Sequence, residues 1–169
     1  MADDTQPKKP GPLASLIQQA QDGSLTVSFS QDVMVNADEF AYIERDCQAF
    51  KDEIRRLQGI AKTISARENW GLGEENRNLT LAQSLVGWYR DKAGSETSGD
   101  TVNCVWSVLD QHYRIVDDIQ TLHHQIAQMY VQTDEAFAAE YNRLTADMPS
   151  SPIGKEILPG STPRLGKSW

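Results

Sequence analysis

The chain has 169 residues, 39% of them hydrophobic, and a formal net charge of −8 from 16 basic and 24 acidic side chains. No run approaches the ~18 consecutive apolar residues of a membrane span. The basic residues form no stripe suited to phosphate contacts, so we expect neither a membrane span nor nucleic-acid binding. Residues 1–12 are polar and contain no apolar block, which predicts a disordered arm rather than a secretory signal peptide.

Residues 13–30 are predicted to form a short helix followed by an extended segment. Residues 13–21 have the composition of two helical turns, which Asp22-Gly23 ends. Residues 24–30 alternate apolar and polar side chains, a pattern typical of a strand, but no second segment alternates in this way. A lone strand leaves its backbone groups unpaired, so we expect this segment to pack on a helical core or to pair with another copy.

Apolar spacing predicts three helices, over residues 31–67, 74–93 and 100–147. The first carries apolar side chains at steps of three and four from Val33 to Ile64. The second is expected to direct five side chains inward: Leu79, Ala82, Leu85, Val86 and Tyr89. The third has a similar apolar seam over about 46 residues, or ~70 Å. The predicted fold is therefore all-α, a long antiparallel helical hairpin or three-helix bundle over 31–147 with a projecting C-terminal helix, and residues 148–169 form a disordered tail.

The projection follows from the unequal helix lengths. A middle helix of about 20 residues spans only ~30 Å, so the third helix should leave the bundle near residue 120. Its seam continues beyond that point, and an exposed apolar stripe on a helix must be buried on something. We expect a partner helix, a second copy of the chain or the segment 13–29 to cover this interface seam, which comprises Leu122, Ile126, Met129, Phe137, Tyr141 and Leu144.

The two cysteines are far apart in sequence. The predicted helix lengths place Cys47 and Cys104 at a similar height in the bundle, so a disulfide between them is one alternative. Two separate buried thiols are the other, because free cysteine behaves as a small hydrophobic residue.

The sequence contains no recognisable catalytic or metal-binding motif. His112 and His123 stand three helical turns apart, and His124 points elsewhere, so the histidines cannot share a metal ion. We predict no catalytic residue, no metal and no cofactor. A small all-helical enzyme of the chorismate mutase type is a remote alternative, but its basic pocket is not expected, because the candidate cations lie mostly off the seam and do not converge: Arg45, Lys51, Arg55 and Arg56.

Two motifs carry a resemblance to a known family. Trp70, Gly71 and Gly73 lie in the predicted turn after the first long helix. Tyr130 precedes Asp134 by four residues, late in the third predicted helix. These features resemble the WXG superfamily of type VII (ESX) secretion substrates, over about residues 30–146. The resemblance implies a helical hairpin whose tryptophan turn and tyrosine motif form a composite export signal when helices associate, often across a heterodimer. The secretion ATPase or its partners then read that signal. It also implies an actinobacterial or related Gram-positive source.

The expected function is accordingly that of a non-enzymatic helical protein, a type VII secretion substrate or its co-secreted partner. Such a protein is made in the cytoplasm and reaches the cell surface or the medium by a route independent of a signal peptide. Its expected partners are a helical protein or a second copy, and the secretion ATPase. The alternative is a cytoplasmic helical scaffold or adaptor that dimerises, in which Trp70 and Tyr130 are packing residues.

Overall fold

The computed structural model describes residues 10–27, 35–94 and 102–154. Within these ranges the chain forms five α-helices and no strand: α1 Ala14–Gln21, α2 Ala37–Ser65, α3 Thr80–Ala93, α4 Val105–Thr133 and α5 Glu135–Ala146. The predicted all-α fold is confirmed. None of these helices combines the length and hydropathy that a membrane-spanning segment requires. The predictions for residues 1–9, 28–34, 100–101 and 155–169 lie outside the described residues.

Helices α2 and α4 form an antiparallel pair that is the axis of the fold. Each has 29 residues and is therefore ~43 Å long. Near the middle of the pair, Nζ of Lys51 lies 2.7 Å from a carboxylate oxygen of Asp117. Further along α2, the side-chain amide of Gln58 donates to the backbone carbonyl of Trp106 at 3.4 Å. Both Lys51 and Gln58 are buried, and these partners satisfy their polar ends.

Helix α2 begins six residues later than the sequence predicts. Its N-cap is Asn36, whose side-chain oxygen accepts the backbone N–H of Asp38 at 3.0 Å. Asp38 and Glu39 then occupy the first turn, where the helix dipole favours negative charge. The predicted start at residue 31 lies among residues that the structure does not describe, and the described helix starts at Ala37.

The predicted single helix 100–147 is wrong, because it is interrupted at Asp134. This residue has extended backbone angles, φ −134° and ψ 108°, and ends α4 while it caps α5. Its carboxylate accepts the N–H groups of Ala136 at 2.9 Å and Phe137 at 3.0 Å. The Thr133 hydroxyl bonds back to the carbonyl of Met129 at 2.9 Å. Side chains that bond locally to the backbone in this way compete with helix continuation.

Helix α5 folds back against the first half of α2, so the predicted projecting helix is also wrong. The Tyr141 hydroxyl donates to Glu44 of α2 at 2.5 Å. A buried cluster then joins α2, α4 and α5 around two alanines that are fully inaccessible, Ala41 and Ala127. Small residues at that contact let the helices approach closely, and the aromatic side chains of α5 pack over them. The other buried members of the cluster are Ala37, Phe137, Tyr141 and Leu144.

Two segments outside the bundle also pack on it. Helix α1 lies on α4, where the backbone N–H of Leu13 donates to Asp118 at 2.8 Å. Residues 148–154 were predicted to belong to a disordered tail, but they contact α2: the Ser151 hydroxyl donates to Asp46 at 2.7 Å, and Arg45 donates to the Pro149 carbonyl at 3.1 Å. The expected extended segment 24–30 is described only over 24–27, which form neither a helix nor a strand, and Val27 there lines a cavity beside α4.

Candidate functional site

The tryptophan turn is an ordered loop between α2 and α3, built around Glu74. The Glu74 carboxylate accepts the backbone N–H of Trp70 and, at 2.9 Å, that of Leu72. The backbone donor at Trp70 is the main cause that holds the pKa of Glu74 below its ordinary value. The Glu74 side chain therefore belongs to the loop and not to the first turn of a helix. Helix α3 begins at Thr80 rather than at residue 74 as predicted.

The Trp70 ring lies against α3. It stacks on the Tyr89 ring with centroids 5.8 Å apart and planes 13° apart, and its indole N–H donates to the Arg67 carbonyl at 3.1 Å. Arg90 of α3 donates to the same carbonyl at 2.7 Å. Gly71 and Gly73 follow with positive φ values of 71° and 87°, which glycine adopts without strain. Trp70 therefore joins the loop to α3 and stays partly exposed.

Tyr130 and Asp134 have structural contacts at the other end of the bundle. The Tyr130 ring lies 5.3 Å from the ring of Phe137 and 6.1 Å from that of Phe40, between centroids. The Asp134 carboxylate caps α5. Phe40 and Ser65 are 25 residues apart on α2, which places Tyr130 and the Trp70 loop on the order of 38 Å apart. One chain does not bring the two motifs together.

The predicted interface seam is mostly covered by the chain itself. Phe137, Tyr141 and Leu144 are 4–6% exposed within the cluster described above. Leu122, Ile126 and Met129 are partly buried. A cavity of about 150 Å³ remains beside α4, lined by Val27, Ile126, Met129, Tyr130 and Thr133. The expectation that an unpaired stripe persists here is wrong, because the break at Asp134 returns α5 to α2.

Cys47 and Cys104 are both free, so of the two alternatives the structure has separate thiols and no disulfide between them. Cys104 caps α4 beside Gln58, and Cys47 precedes Gln58 by eleven residues on α2, or ~16 Å along the helix, far beyond the ~7 Å limit for bridged Cα atoms. Burial raises the pKa of the Cys47 thiol. Cys104 is fully buried against Gly94, where an added Cβ would overlap its sulfur atom.

A charged cleft lies where residues 10–11 meet α2 and α4, with a volume of about 270 Å³. Its cations face carboxylates: Arg114 lies 2.7 Å from Asp110, and Arg55 lies 3.9 Å from the same residue. Arg55 also covers the Tyr113 ring at 3.9 Å. The cleft thus presents charges of both signs rather than converging cations. Among the described residues, no group of three or more His, Cys, Asp or Glu side chains could hold a metal ion.

The most exposed of the large apolar side chains lie at the end of the bundle that contains α3. On α3, Leu81 is 81% exposed and Trp88 is 54% exposed. Neighbouring ends of α2 and α4 add further exposed side chains: Ile60, Ile64, Val105 and Val108. This surface was not predicted from the sequence, which placed the exposed seam at the opposite end.

Helix α3 has two apolar faces, and within the part of the chain that the structure describes only one of them is covered. Val86 and Ala93 are buried against the bundle. Leu81, Leu85 and Trp88 follow the spacing i, i+4, i+7 and lie roughly 120° around the helix from that buried face. We call these three residues the outer stripe. The inward prediction for α3 holds for Val86 and is wrong for Leu79, Leu85 and Tyr89, which are 39–47% exposed.

Comparisons with known proteins give no relationship for this chain. No protein-family model, no curated protein and no solved structure matches it.

Proposed function

We propose that this protein acts without catalysis, by associating with a second helical chain as a type VII secretion substrate or co-secreted partner. The observation that carries the proposal is the outer stripe of α3. Its spacing is that of a helix that packs on another helix, and its side chains are exposed although the bundle already covers a separate apolar face of α3.

The position of the tryptophan loop supports the more specific part of the proposal. Trp70 stacks on α3, so the loop and the exposed apolar face lie at one end of the bundle. Tyr130 lies at the other end, so a composite signal that joins a tryptophan turn to a tyrosine motif would draw the two from different chains. In this proposal the protein is made in the cytoplasm, the partner supplies one half of the signal, and the secretion ATPase reads the assembled complex.

The export role is tested in a host with an active type VII system, by blotting the culture filtrate. The variant should remove the polar groups of the motif and keep the fold. Tyr130→Phe retains the packed ring, and Asp134→Asn retains a good N-cap while it removes the charge. We expect this double variant to remain in the cells at wild-type abundance and to be lost from the filtrate.

A matched control exists in the same chain. Tyr42 and Asp46 share the spacing of the motif but lie on α2. The double variant Tyr42→Phe with Asp46→Asn should be exported like the wild type. Normal export of the Tyr130 and Asp134 variant would refute the signal role, and absence of the wild-type protein from the filtrate would refute export itself.

A cytoplasmic scaffold or adaptor that dimerises is the second candidate. It is favoured by the structural contacts of Tyr130 and Asp134, since packing and capping alone account for both residues. Sedimentation of the pure protein distinguishes the two. A stable dimer that stays in the cell supports the scaffold, whereas a monomer that appears in the filtrate supports the secretion role.

A further inference from the structure

Residues 11–27 follow one face of α4, in the direction of that helix. Near the start of this segment the backbone N–H of Leu13 donates to Asp118 at 2.8 Å. Near its end Val27 lines a cavity beside Ile126, which is eight residues, or ~12 Å, further along α4. Between these two points helix α1 packs on α4. We call residues 11–27 the strap.

The strap is attached to the molecule along one side. In its helical part the side chains of Leu13, Ile17 and Ala20, at i, i+4 and i+7, are partly or fully buried, and in its extended part those of Leu25 and Val27 are partly buried. The alternating positions between the last two and most of the other α1 side chains are exposed. Among the described helices, α1 packs only on α4.

The face of α4 beneath the strap belongs to a longer apolar stripe. Val108, Ile115, Leu122 and Met129 are each seven residues apart, which places them on one side of the helix. The first two lie before the start of the strap, and both are 40% exposed. The last two lie along the strap and are partly buried. The strap thus covers the second half of this stripe.

The helix of the strap is too short to be stable by itself. Helix α1 has eight residues, fewer than the ~12–15 that an isolated helix needs in water, and no side chain caps its N-terminus. None of its residues belongs to the buried cluster that joins α2, α4 and α5. Release of the strap would therefore leave that cluster intact, which is the condition for a local rather than a global opening.

A close contact with Asp118 fixes the start of the strap. Its carboxylate accepts the Leu13 N–H, and a Cβ added to Gly11 would lie 2.1 Å from the same carboxylate oxygen. Such an overlap is relieved only when the carboxylate or the strap moves, and either movement breaks the bond to Leu13. We call the contact of Gly11 and Leu13 with Asp118 the latch.

We propose that the strap is a releasable cover that controls access to the apolar stripe of α4. While the latch is closed, the stripe is exposed at Val108 and Ile115. When the latch opens, residues 11–27 leave α4 together and the exposed stripe extends to Leu122 and Met129. This device goes beyond the proposed function, since it concerns a different helix from the outer stripe of α3.

Amide hydrogen exchange of the full chain tests whether the strap opens as a unit. We expect the hydrogen-bonded amides of the strap to exchange at least roughly a hundredfold faster than those in the middle of α2, because a local opening does not require global unfolding. Gly11→Val should speed exchange throughout the strap by a further factor of roughly five and leave α2 unchanged. Ser15→Val adds a side chain of the same shape at an exposed position of α1 and should change strap exchange less than about twofold, since serine and valine have similar helix propensities.

A double variant tests the latch itself. Asp118→Ala removes the acceptor of the Leu13 N–H and also makes room for a side chain at position 11. Each single substitution, Gly11→Val or Asp118→Ala, should speed exchange in the strap. The double variant should exchange no faster than the faster of the two single variants, because both substitutions act on one contact.

Access to the stripe is measured by the reaction rate of a cysteine with a thiol reagent. The cysteine is introduced by Leu122→Cys together with Cys47→Ser, so that the fully buried Cys104 is the one remaining native thiol. Gly11→Val should raise this rate at least about fivefold. Ile115→Cys is the matched control, because it lies on the same stripe before the strap begins, and its rate should be the same with either residue at position 11.

The proposal is overturned if the strap exchanges as slowly as the middle of α2, if the effects of Gly11→Val and Asp118→Ala simply add, or if Gly11→Val leaves the reaction of Leu122→Cys unchanged. Loss of protection throughout α2 and α4 in Gly11→Val would also overturn it, because the strap would then be an integral part of the bundle. These outcomes are separate from export, and a strap that does not open would leave the proposed function standing.

Discussion

The return of α5 onto α2 predicts a large effect for a single aromatic truncation, Phe137→Ala. The Phe137 ring is 6% exposed and has three aromatic neighbours, with ring centroids 5.3, 5.7 and 5.9 Å away on Tyr130, Phe40 and Tyr141. Truncation of a buried phenylalanine usually costs 3–5 kcal/mol, and since this cluster lies at the end of the bundle and can partly collapse, we expect about 3 kcal/mol.

The assay is urea unfolding followed by far-ultraviolet circular dichroism, with the slope of the transition checked for constancy. Phe50→Ala on α2 is the matched control, because Phe50 is 46% exposed, and it should cost less than ~1 kcal/mol. Amide hydrogen exchange should show the loss of protection first in α5. Equal, small costs for both variants would refute the folded-back arrangement and restore the projecting helix.

Three further predictions follow from particular contacts. Tyr141→Phe should cost about 1–2 kcal/mol in urea unfolding, because it removes a donor from the largely buried Glu44 carboxylate. Gly94→Ala should lower the melting temperature more than Gly71→Ala: both positions have positive φ, but only at Gly94 does the added Cβ overlap another side chain. The Arg45 side chain lowers the pKa of Asp46, so the stability from this carboxylate is present above its unfolded pKa of ~3.9 and is lost as the pH falls through the lower folded value. Asp46→Asn should flatten that acid loss in pH-dependent proteolysis of residues 148–154.

The helices could be predicted because apolar spacing and turn residues act locally. Asp22 ends α1 as expected, with Gly23 at φ 69° after it. The start of α3 could not be predicted in the same way. Glu74 looks like a favourable first-turn residue in sequence, yet its carboxylate binds backbone donors of the preceding loop. Whether a glutamate occupies the first turn of a helix or closes the preceding loop depends on contacts that the sequence alone does not specify.

The outer stripe was overlooked for a different physical reason. Leu85 can be counted on either apolar face of α3, and its position next to Val86 in sequence favours the inward one. Once Val86 and Ala93 define the buried face, Leu81, Leu85 and Trp88 fall on another. The signal was present in the sequence as an apolar triplet at i, i+4, i+7, which is the spacing of one helix face.

The seam from Val105 to Leu144 shows why periodicity cannot measure helix length. Tyr130 and Phe137 are seven residues apart, which would place them on one face of a continuous helix. In the folded-back chain their rings are in contact as well, so the spacing alone does not distinguish the two arrangements. The polar residues Thr133 and Asp134 are what favours the break, because their side chains supply the groups that end one helix and cap the next. The two cases have opposite consequences for association: a continuous rod leaves its distal stripe for a partner, whereas the folded chain covers that stripe with α5. The proposed association therefore uses α3, where the described residues leave the outer stripe exposed.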